Sequence, residues 1–297
     1  SKGLKLYYML NYFDREQKNA MISGGELRKT LEKYCAELCD KDAKRNLKNG
    51  YICGTAGFGK SHSVEQAAKN SGSPYAIIKG QASLFGMAQH LAVLKVKHWD
   101  EQVIIIIDDC DKLFIDADSI NTMKELLGPS AMFTYSRNLY LNTIPEGAKR
   151  DAVEIFMNDE SAGFAIDCSN FTFVVTSNNP LPSIKTVRTA NAKLGDNPKT
   201  PRIEKLDHLH AIRTRVRYKM VDANIEDTWG SIAEIYLRED VLTERTEDEI
   251  KTMLNWMWYK REEMNEFNAR TILGMSDDID ELGLEDALDR WSYNYIG

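Results

Sequence analysis

The sequence predicts an α/β fold in which a parallel five-stranded sheet is flanked by helices and followed by a smaller, all-helical C-terminal domain. Three observations lead to this prediction. Short apolar runs alternate with helical patterns up to about residue 221, as in parallel sheets with helical crossovers. One run, from Val103 to Ile107, is continuously β-branched, which is typical of a strand buried on both faces. After residue 222 the strand signals stop.

The individual elements follow from the spacing of apolar residues. Strands are predicted at 51–53, 75–78, 103–107, 171–176 and 216–221. Helices are predicted at 25–40, 60–69, 83–97, 226–238, 246–265, 268–275 and 284–295. The chain is thereby divided into an N-terminal helical segment (1–48), an α/β core (49–221) and a helical domain (222–297). An irregular insertion at about 128–170 interrupts the core, and alternating residues at 135–140 suggest a hairpin in it.

The composition is that of an ordinary globular protein, with 43% hydrophobic and 28% charged residues among 297. No apolar run approaches the roughly 18 residues of a membrane span, and the start carries no signal-peptide pattern. We therefore expect a cytoplasmic protein without a membrane partner. Its five cysteines are scattered and odd in number, which favours reduced thiols over a disulfide framework.

The charge is distributed unevenly along the chain. The net charge of -7 argues against a protein that coats nucleic acid through bulk positive charge. Residues 183–220 nevertheless hold 10 basic and 3 acidic side chains, whereas residues 221–297 hold 7 basic and 20 acidic ones. This step predicts a domain boundary near residue 220. Two interpretations stay open: solvated surfaces of opposite sign, or a basic segment that meets DNA, nucleotide phosphates or the acidic face of a neighbouring subunit.

A glycine-rich motif of the form G-x-x-x-x-G-K-[ST] lies between the first predicted strand and the helix after it. It consists of Gly54, Thr55, Ala56, Gly57, Phe58, Gly59, Lys60 and Ser61. Such a loop turns its backbone N–H groups toward phosphate, and the helix N-terminus adds positive potential. Lys60 can reach the β- and γ-phosphates, and the Ser61 hydroxyl can hold Mg²⁺. His62 follows directly and joins the cofactor-binding candidates, with a place on the helix surface as the alternative.

Two carboxylates follow the buried strand that the β-branched run predicts. In a protein with a phosphate loop, such a strand places its first acid beside the Mg²⁺ ion, so Asp108 is the second metal-ligand candidate with Ser61. Asp109 would then orient and polarise the attacking water. Asp111 is expected to be structural. The alternative is a strand end capped by solvent-exposed aspartates.

Taken together, the phosphate loop and the acidic strand resemble those of the AAA+ family of ATPases, and the resemblance spans roughly residues 49–297. Residues 173–178 look like the family's sensor-1 strand, with Asn178 as its polar residue. Residues 211–216 are similar to the "SRC"-like segment of clamp-loader relatives. That similarity makes Arg215 the arginine-finger candidate, with Arg213 and Arg217 as substitutes. Residues 268–271 look like the sensor-2 segment at the start of a lid helix, with Arg270 contacting the nucleotide.

The resemblance implies a P-loop NTPase sheet with a helical lid, ATP and Mg²⁺ as cofactors, and Asp109, Asn178 and Arg215 as catalytic residues. It also implies a homo-oligomer, most often a hexamer, in which the finger completes the site of the adjacent subunit. The sequence departs from the family at Asp109, where a glutamate is usual. Aspartate is shorter by one methylene, which keeps open a slowly hydrolysing, ATP-gated switch or scaffold.

The expected function is an ATPase that assembles into a ring or part-ring and remodels a macromolecule. The clamp-loader-like segment and the basic stretch favour a DNA transaction of the loader, helicase or branch-migration type. A protein-unfolding ATPase is the alternative, because Leu84, Phe85 and Gly86 stand where ring-shaped relatives carry a pore loop; a core position for Phe85 is the competing interpretation. Trp256, Trp258 and Tyr259 are expected to pack in the core of the lid.

Overall fold

The computed structural model describes residues 11–43, 46–80, 82–135, 141–158, 163–195, 197–238 and 241–296. The chain divides into two compact units. The sheet unit comprises residues 34–54 and 61–220, and the helical unit comprises the residues up to Lys33, residues 55–60 and those from Val221 onward. Part of the predicted N-terminal segment, residues 1–10, 44 and 45, lies outside the described residues.

The strands are β1 (Gly50–Gly54), β2 (Tyr75–Lys79), β3 (Val103–Asp108), β4 (Met132–Tyr135), β5 (Met157–Asn158), β6 (Gly163–Asp167), β7 (Phe171–Ser177) and β8 (Arg217–Val221). The helices are α1 (Arg15–Cys39), α2 (Lys60–Asn70), α3 (Leu84–Lys97), α4 (Ala117–Leu126), α5 (Ala148–Ile155), α6 (Ile184–Leu194), α7 (Pro201–Arg213), α8 (Ile225–Arg238), α9 (Glu247–Lys260), α10 (Ala269–Leu282) and α11 (Leu284–Asn294). Short 3-10 helices occur at Asp111–Phe114 and Leu141–Thr143.

The main sheet of the sheet unit has five strands in the order β2-β3-β7-β1-β8. The pairs β2–β3, β3–β7 and β1–β7 are parallel, and the predicted five-stranded parallel sheet flanked by helices is confirmed. Every residue of β3 is buried, as the β-branched run predicts. The register sets Lys79, Asp108, Thr176 and Ile52 side by side on one rung across four strands.

The insertion between α4 and β7 contains a second, smaller sheet that the sequence did not predict. Its three strands are antiparallel in the order β4-β6-β5. Phe133 of β4 and Phe164 of β6 are buried, and their rings meet edge to face with centroids 6.1 Å apart. Of the hairpin suggested at 135–140, the structure describes only Tyr135, the last residue of β4, and residues 136–140 lie outside the described residues.

The helical unit has its own apolar core, formed by the first half of α1 and by α8 to α11. Trp229 and Trp258 are buried with ring centroids 4.8 Å apart, and the half-buried Trp256 packs on the buried Trp291 at 5.7 Å. Tyr259 is 67% exposed. The expected core position was therefore wrong for Tyr259, because it lies on the opposite face of α9 from the buried Met257 and Trp258.

α1 begins at Arg15, ten residues before its predicted start, and crosses α8 at very short range through two glycines. A Cβ atom on Gly230 would lie 1.8 Å from the backbone oxygen of Ala20, and one on Gly24 would lie 2.1 Å from that of Asp227. Real Cβ atoms do not come this close to backbone atoms, so only glycine allows the two helices to approach so nearly. None of the helices in the described part of the chain combines the length and apolar character that a membrane span requires.

We expect Gly230→Ala to lower the free energy of unfolding by about 1–3 kcal/mol or more, because the added methyl group forces α1 and α8 apart. Chemical denaturation measures this change. The matched control is Gly86→Ala, since a Cβ atom there meets nothing closer than the Ser83 hydroxyl at 3.5 Å. Equal stability of the two variants would contradict the close crossing of α1 and α8.

Candidate functional site

The candidate site of the sheet unit lies at the carboxyl edge of the parallel sheet, around the buried Asp108 at the end of β3. The hydroxyl of Ser61, in the first turn of α2, donates to Oδ1 of Asp108. The Thr176 hydroxyl of β7 donates to the same oxygen at 2.6 Å. Nζ of Lys79 lies 3.8 Å from Oδ2. The carboxylate is therefore held on both oxygens, as a buried charge requires.

Asp109, the predicted water-orienting residue, is exposed directly after the strand. Its backbone adopts a left-handed conformation with φ 51°, which is uncommon for a residue other than glycine. Its N–H donates to the carbonyl of Thr176 at 3.1 Å. This bond holds the chain as it leaves the sheet, so the turn that presents the Asp109 side chain is anchored on β7.

The residues after β7 form a second polar group beside the first. Ser177 and Asn179 donate to the two carboxylate oxygens of Asp111 at 2.9 and 2.8 Å, which fits the structural role expected for this aspartate. The hydroxyl of Tyr51 donates to the carbonyl of Asn179 at 2.9 Å, and burial raises the pKa of this phenol above its ordinary value. Asn178, the sensor-1 candidate, is exposed between these anchored neighbours.

Residues 55–60 of the glycine-rich loop belong to the helical unit. The N–H and hydroxyl of Thr55 donate to the carbonyls of Val221 and Ala223 at 3.0 and 2.8 Å. Lys60 is buried, and its ammonium group donates to the carbonyl of Thr55 at 2.8 Å. The start of the loop is thus bound to the residues at and after the end of β8. The side chain of Lys60, at the other end of the loop, closes the loop by bonding to Thr55.

The middle of the loop depends on its glycines. Gly57 and Gly59 have φ 77° and φ 90°, a region that glycine occupies at no steric cost. A Cβ atom on Gly57 would lie 2.5 Å from the Cβ of Asn268, whereas one on Gly59 would meet nothing within 4 Å. The loop is therefore packed on one side and open on the other. Phe58 is buried, whereas Ala56 is exposed.

Arg270, the sensor-2 candidate, lies in the first turn of α10. Asn268 caps this helix by accepting the N–H of Arg270 at 2.8 Å, and Asn268 is the residue that approaches Gly57. The Arg270 side chain is exposed. Among the described residues its guanidinium has no ion-pair partner, so its charge is available next to the loop.

The three arginine-finger candidates are held to different degrees. Arg213 donates to the carbonyl of Leu181 at 2.7 Å and stacks 3.8 Å over the ring of Tyr218. Arg217 pairs with Glu37 at 2.9 Å and lies over the ring of Tyr34. Arg215 is half-buried, passes close to Gly128, and donates to the carbonyl of Ala211 at 2.6 Å. Within the described part of the chain, the Arg215 guanidinium therefore has fewer contacts than those of Arg213 and Arg217, which also lie over aromatic rings.

Other predicted residues lie outside this polar cluster. Gly54 is the buried last residue of β1, and His62 is exposed on α2. Phe85 lies in the first turn of α3 and packs half-buried against the core of the sheet unit, which matches the core interpretation of the supposed pore loop.

The sequence analysis missed two residues around Asp108, Lys79 and Thr176, and one residue of the helical unit that approaches the glycine-rich loop, Asn268. Thr176 left a signal, because it is a hydroxyl residue at the end of an apolar strand that pairs with the acidic one. Lys79 directly follows the strand predicted at 75–78 and ends the observed strand β2, which pairs with β3. Asn268 was read as part of the sensor-2 segment, but its approach to Gly57 depends on tertiary packing.

The donor set of Ser61 and Asp108 suits a hard cation, because Mg²⁺ prefers oxygen ligands and keeps several water molecules. In the described part of the chain, no group of three or more His, Cys, Asp or Glu side chains could hold a metal ion. A cation at this edge would therefore depend on phosphate oxygens and water in addition to the two protein groups. This is how Mg²⁺ is bound in sites that act on nucleotides.

The chain was compared with protein-family models and with curated proteins, and neither comparison gave a match.

We expect Thr176→Val to lower the free energy of unfolding by about 1.5–3 kcal/mol, because a buried carboxylate loses a hydrogen-bond donor without a change in side-chain shape. Denaturant titration measures the effect. Thr172→Val on the same strand is the matched control, since no hydrogen bond of its side chain occurs among the described residues. If both variants unfold at the same denaturant concentration, the Thr176 bond does not stabilise Asp108.

Proposed function

We propose that this chain is a Mg²⁺-ATP-dependent ATPase of the AAA+ type that remodels a macromolecule. One observation carries the proposal: the hydroxyl of Ser61, which ends a G-x-x-x-x-G-K-S motif, is hydrogen-bonded to the buried carboxylate of Asp108 at the carboxyl edge of a parallel sheet. These are the two protein groups that flank Mg²⁺ in phosphate-loop sites. Their contact supports the assignment that the motif suggested.

The phosphate loop binds the triphosphate. Its glycine backbone turns N–H groups toward the phosphates, and α2 adds the positive potential of its N-terminus. Lys60 exchanges its bond to the Thr55 carbonyl for the β- and γ-phosphates. That carbonyl keeps the ammonium group within the loop until a nucleotide is present.

Ser61 and Asp108 hold Mg²⁺. When bound, the cation offsets the charge that develops on the transferring phosphoryl group. Thr176 and Lys79 keep the carboxylate in place from the two neighbouring strands. Because the carboxylate is held before the ligand arrives, little ordering is needed when the cation binds.

Asp109 orients the attacking water, and Asn178 contacts the γ-phosphate or that water. Both are exposed and leave the same sheet edge, on neighbouring strands. The shorter side chain of aspartate reaches less far than the glutamate that the AAA+ resemblance leads one to expect. This difference favours slow turnover, and an ATP-gated switch or scaffold is therefore the second candidate function.

Two arginines contact the nucleotide, one from the same chain and one from an adjacent subunit. Arg270 contacts it from the start of α10, where its charge is unpaired among the described residues. Arg215 completes the site of an adjacent subunit in a homo-oligomer, a hexamer by the AAA+ resemblance, by releasing the Ala211 carbonyl. Arg215 is favoured as the arginine finger over Arg213 and Arg217, because the guanidinium groups of the latter two also stack on aromatic rings.

Of the two substrate classes, DNA is favoured over protein. A pore loop that grips an unfolded chain needs an exposed aromatic residue, whereas Phe85 packs against the core. The basic stretch 183–220 supports a substrate rich in phosphate.

Lys60→Ala should weaken binding of a fluorescent ATP analogue by about 10- to 100-fold, because a charge-assisted contact to phosphate is lost, and steady-state ATP hydrolysis should fall with it. The matched control is Lys69→Ala on the same helix, whose exposed side chain pairs with Glu65. Unchanged affinity in Lys60→Ala would remove the phosphate-loop assignment.

Arg215→Ala should bind ATP normally but hydrolyse it about 10³-fold or more slowly, as arginine fingers do where they have been measured. Mixing it with Asp109→Asn should restore part of the activity, because some mixed interfaces then contain one intact site. Arg202→Ala, an exposed arginine on α7, is the control and should behave like the unaltered protein. A mixing curve without recovery would count against a shared site.

A further inference from the structure

We propose that the exposed face of α6 binds the phosphate backbone of duplex DNA through Lys185, Arg188 and Lys193. All three side chains are exposed. Helical periodicity places Lys185 near each of the other two, because it lies three residues from Arg188 and eight from Lys193. Arg188 and Lys193 are five residues apart and therefore flank Lys185 on the two sides of the exposed surface of the helix. The choice of DNA deepens the proposed function by naming its substrate and rests on it, whereas the cationic face is independent of it.

The helix is seated so that this face must point away from the protein. Val187 is buried, and Ala190, Asn191 and Leu194 are half-buried on the opposite side. Asn191 donates to Asp207 of α7 at 3.5 Å, and α7 in turn meets α4, where Lys124 lies 3.3 Å from His208. The cationic face is therefore carried by a packed helix pair and not by a free loop.

The three charges are not neutralised by their surroundings. α6 contains no acidic residue, and none of the three cations has an ion-pair partner among the residues that the structure describes. Lys199, in the connection to α7, differs in this respect because it pairs with Asp207 at 2.5 Å. The chain as a whole is acidic, with a net charge of -7. A group of unpaired cations on one helix therefore cannot be attributed to the overall composition.

The geometry suits a phosphate backbone. Lys185 and Lys193 are separated by about 12 Å along the helix axis at 1.5 Å per residue, which corresponds to a few phosphates at about 3.4 Å of duplex axis per strand. Exposed Thr189 and Ala192 lie between the cations and leave room for close approach. α6 contains no aromatic residue, so the stacking on which single-strand binding depends is missing.

The acidic helices of a second copy are a weaker alternative partner. Several of their carboxylates are already paired within the helical unit: Asp280 with Arg245, Glu226 with Arg261, and Asp278 and Glu281 with Arg290. Pairing with α6 would compete with these internal bonds. DNA phosphates meet no such competition, and they release counterions on binding.

The test is fluorescence anisotropy of a labelled duplex with the full chain, titrated over a range of salt concentrations, with and without a non-hydrolysable ATP analogue. The triple variant Lys185→Ala, Arg188→Ala, Lys193→Ala should bind at least tenfold more weakly at low salt. Each lost phosphate contact should lower the slope of log affinity against log salt by about 1, and so by about 3 in the triple variant. Arg188→Lys keeps the charge and should retain most of the binding.

The matched control removes the same charge elsewhere: Lys29→Ala, Lys33→Ala, Lys41→Ala, all exposed. It should bind DNA like the unaltered protein, and all variants should bind the ATP analogue equally. No duplex binding in either condition would overturn the inference, as would equal loss in the triple and control variants. Tighter binding of a single strand, or lost self-association with DNA binding intact, would overturn it as well. Nucleotide affinity is read separately, so failure at α6 is distinct from failure of the ATP site.

Discussion

The carboxylate of Asp108 is the group around which the sheet edge is organised. A buried carboxylate is costly unless donors surround it, and here the donors come from different elements: Ser61 lies in the first turn of α2, and Thr176 is the last residue but one of β7. The same contacts that satisfy the charge therefore attach the first turn of α2 to two strands of the sheet. The position of Ser61 follows from this arrangement. The adjacent turn at Asp109 is held by the carbonyl of Thr176, and the end of β7 is held by Asp111.

The arginines differ in how many contacts hold their guanidinium groups within the protein. Arg213 and Arg217 are bound by hydrogen bonds and by stacking on Tyr218 and Tyr34, contacts that a mobile group would have to break. Among the described residues, the Arg215 guanidinium has one hydrogen bond, to the carbonyl of Ala211 in the last turn of α7, and the Arg270 guanidinium has no ion-pair partner. A guanidinium that binds phosphate must first give up its contacts within the protein. Arg215 and Arg270 have fewer such contacts to lose, and for this reason we propose these two as the arginines that contact the nucleotide.

Which charged side chains are paired says more about this protein's attraction for a polyanion than its net charge does. The C-terminal region is strongly acidic, yet Arg245, Arg261 and Arg290 pair with carboxylates there. The basic stretch contains fewer charges, but those on α6 have no partner in the described structure. An exposed charge with a partner contributes little to long-range attraction, whereas neighbouring unpaired charges of one sign attract a polyanion. In our proposals, nucleotide and DNA are therefore attracted by separate features of the chain.

The sequence by itself determined the parallel sheet, since a continuous β-branched run has no stable place except between two covered faces, and carboxyl ends of parallel strands share one edge. The predicted pairing of Asp108 with Ser61 is seen as a hydrogen bond between the two side chains. Only the tertiary structure decided that Thr176 and Lys79 hold Asp108, because this depends on the register between strands far apart in sequence. It also decided the small antiparallel sheet, whose strand β4 is separated from β5 and β6 by a long connection, and the close approach of Gly24 and Gly230. Local patterns encode which segments are buried; which atoms meet depends on how the segments are packed.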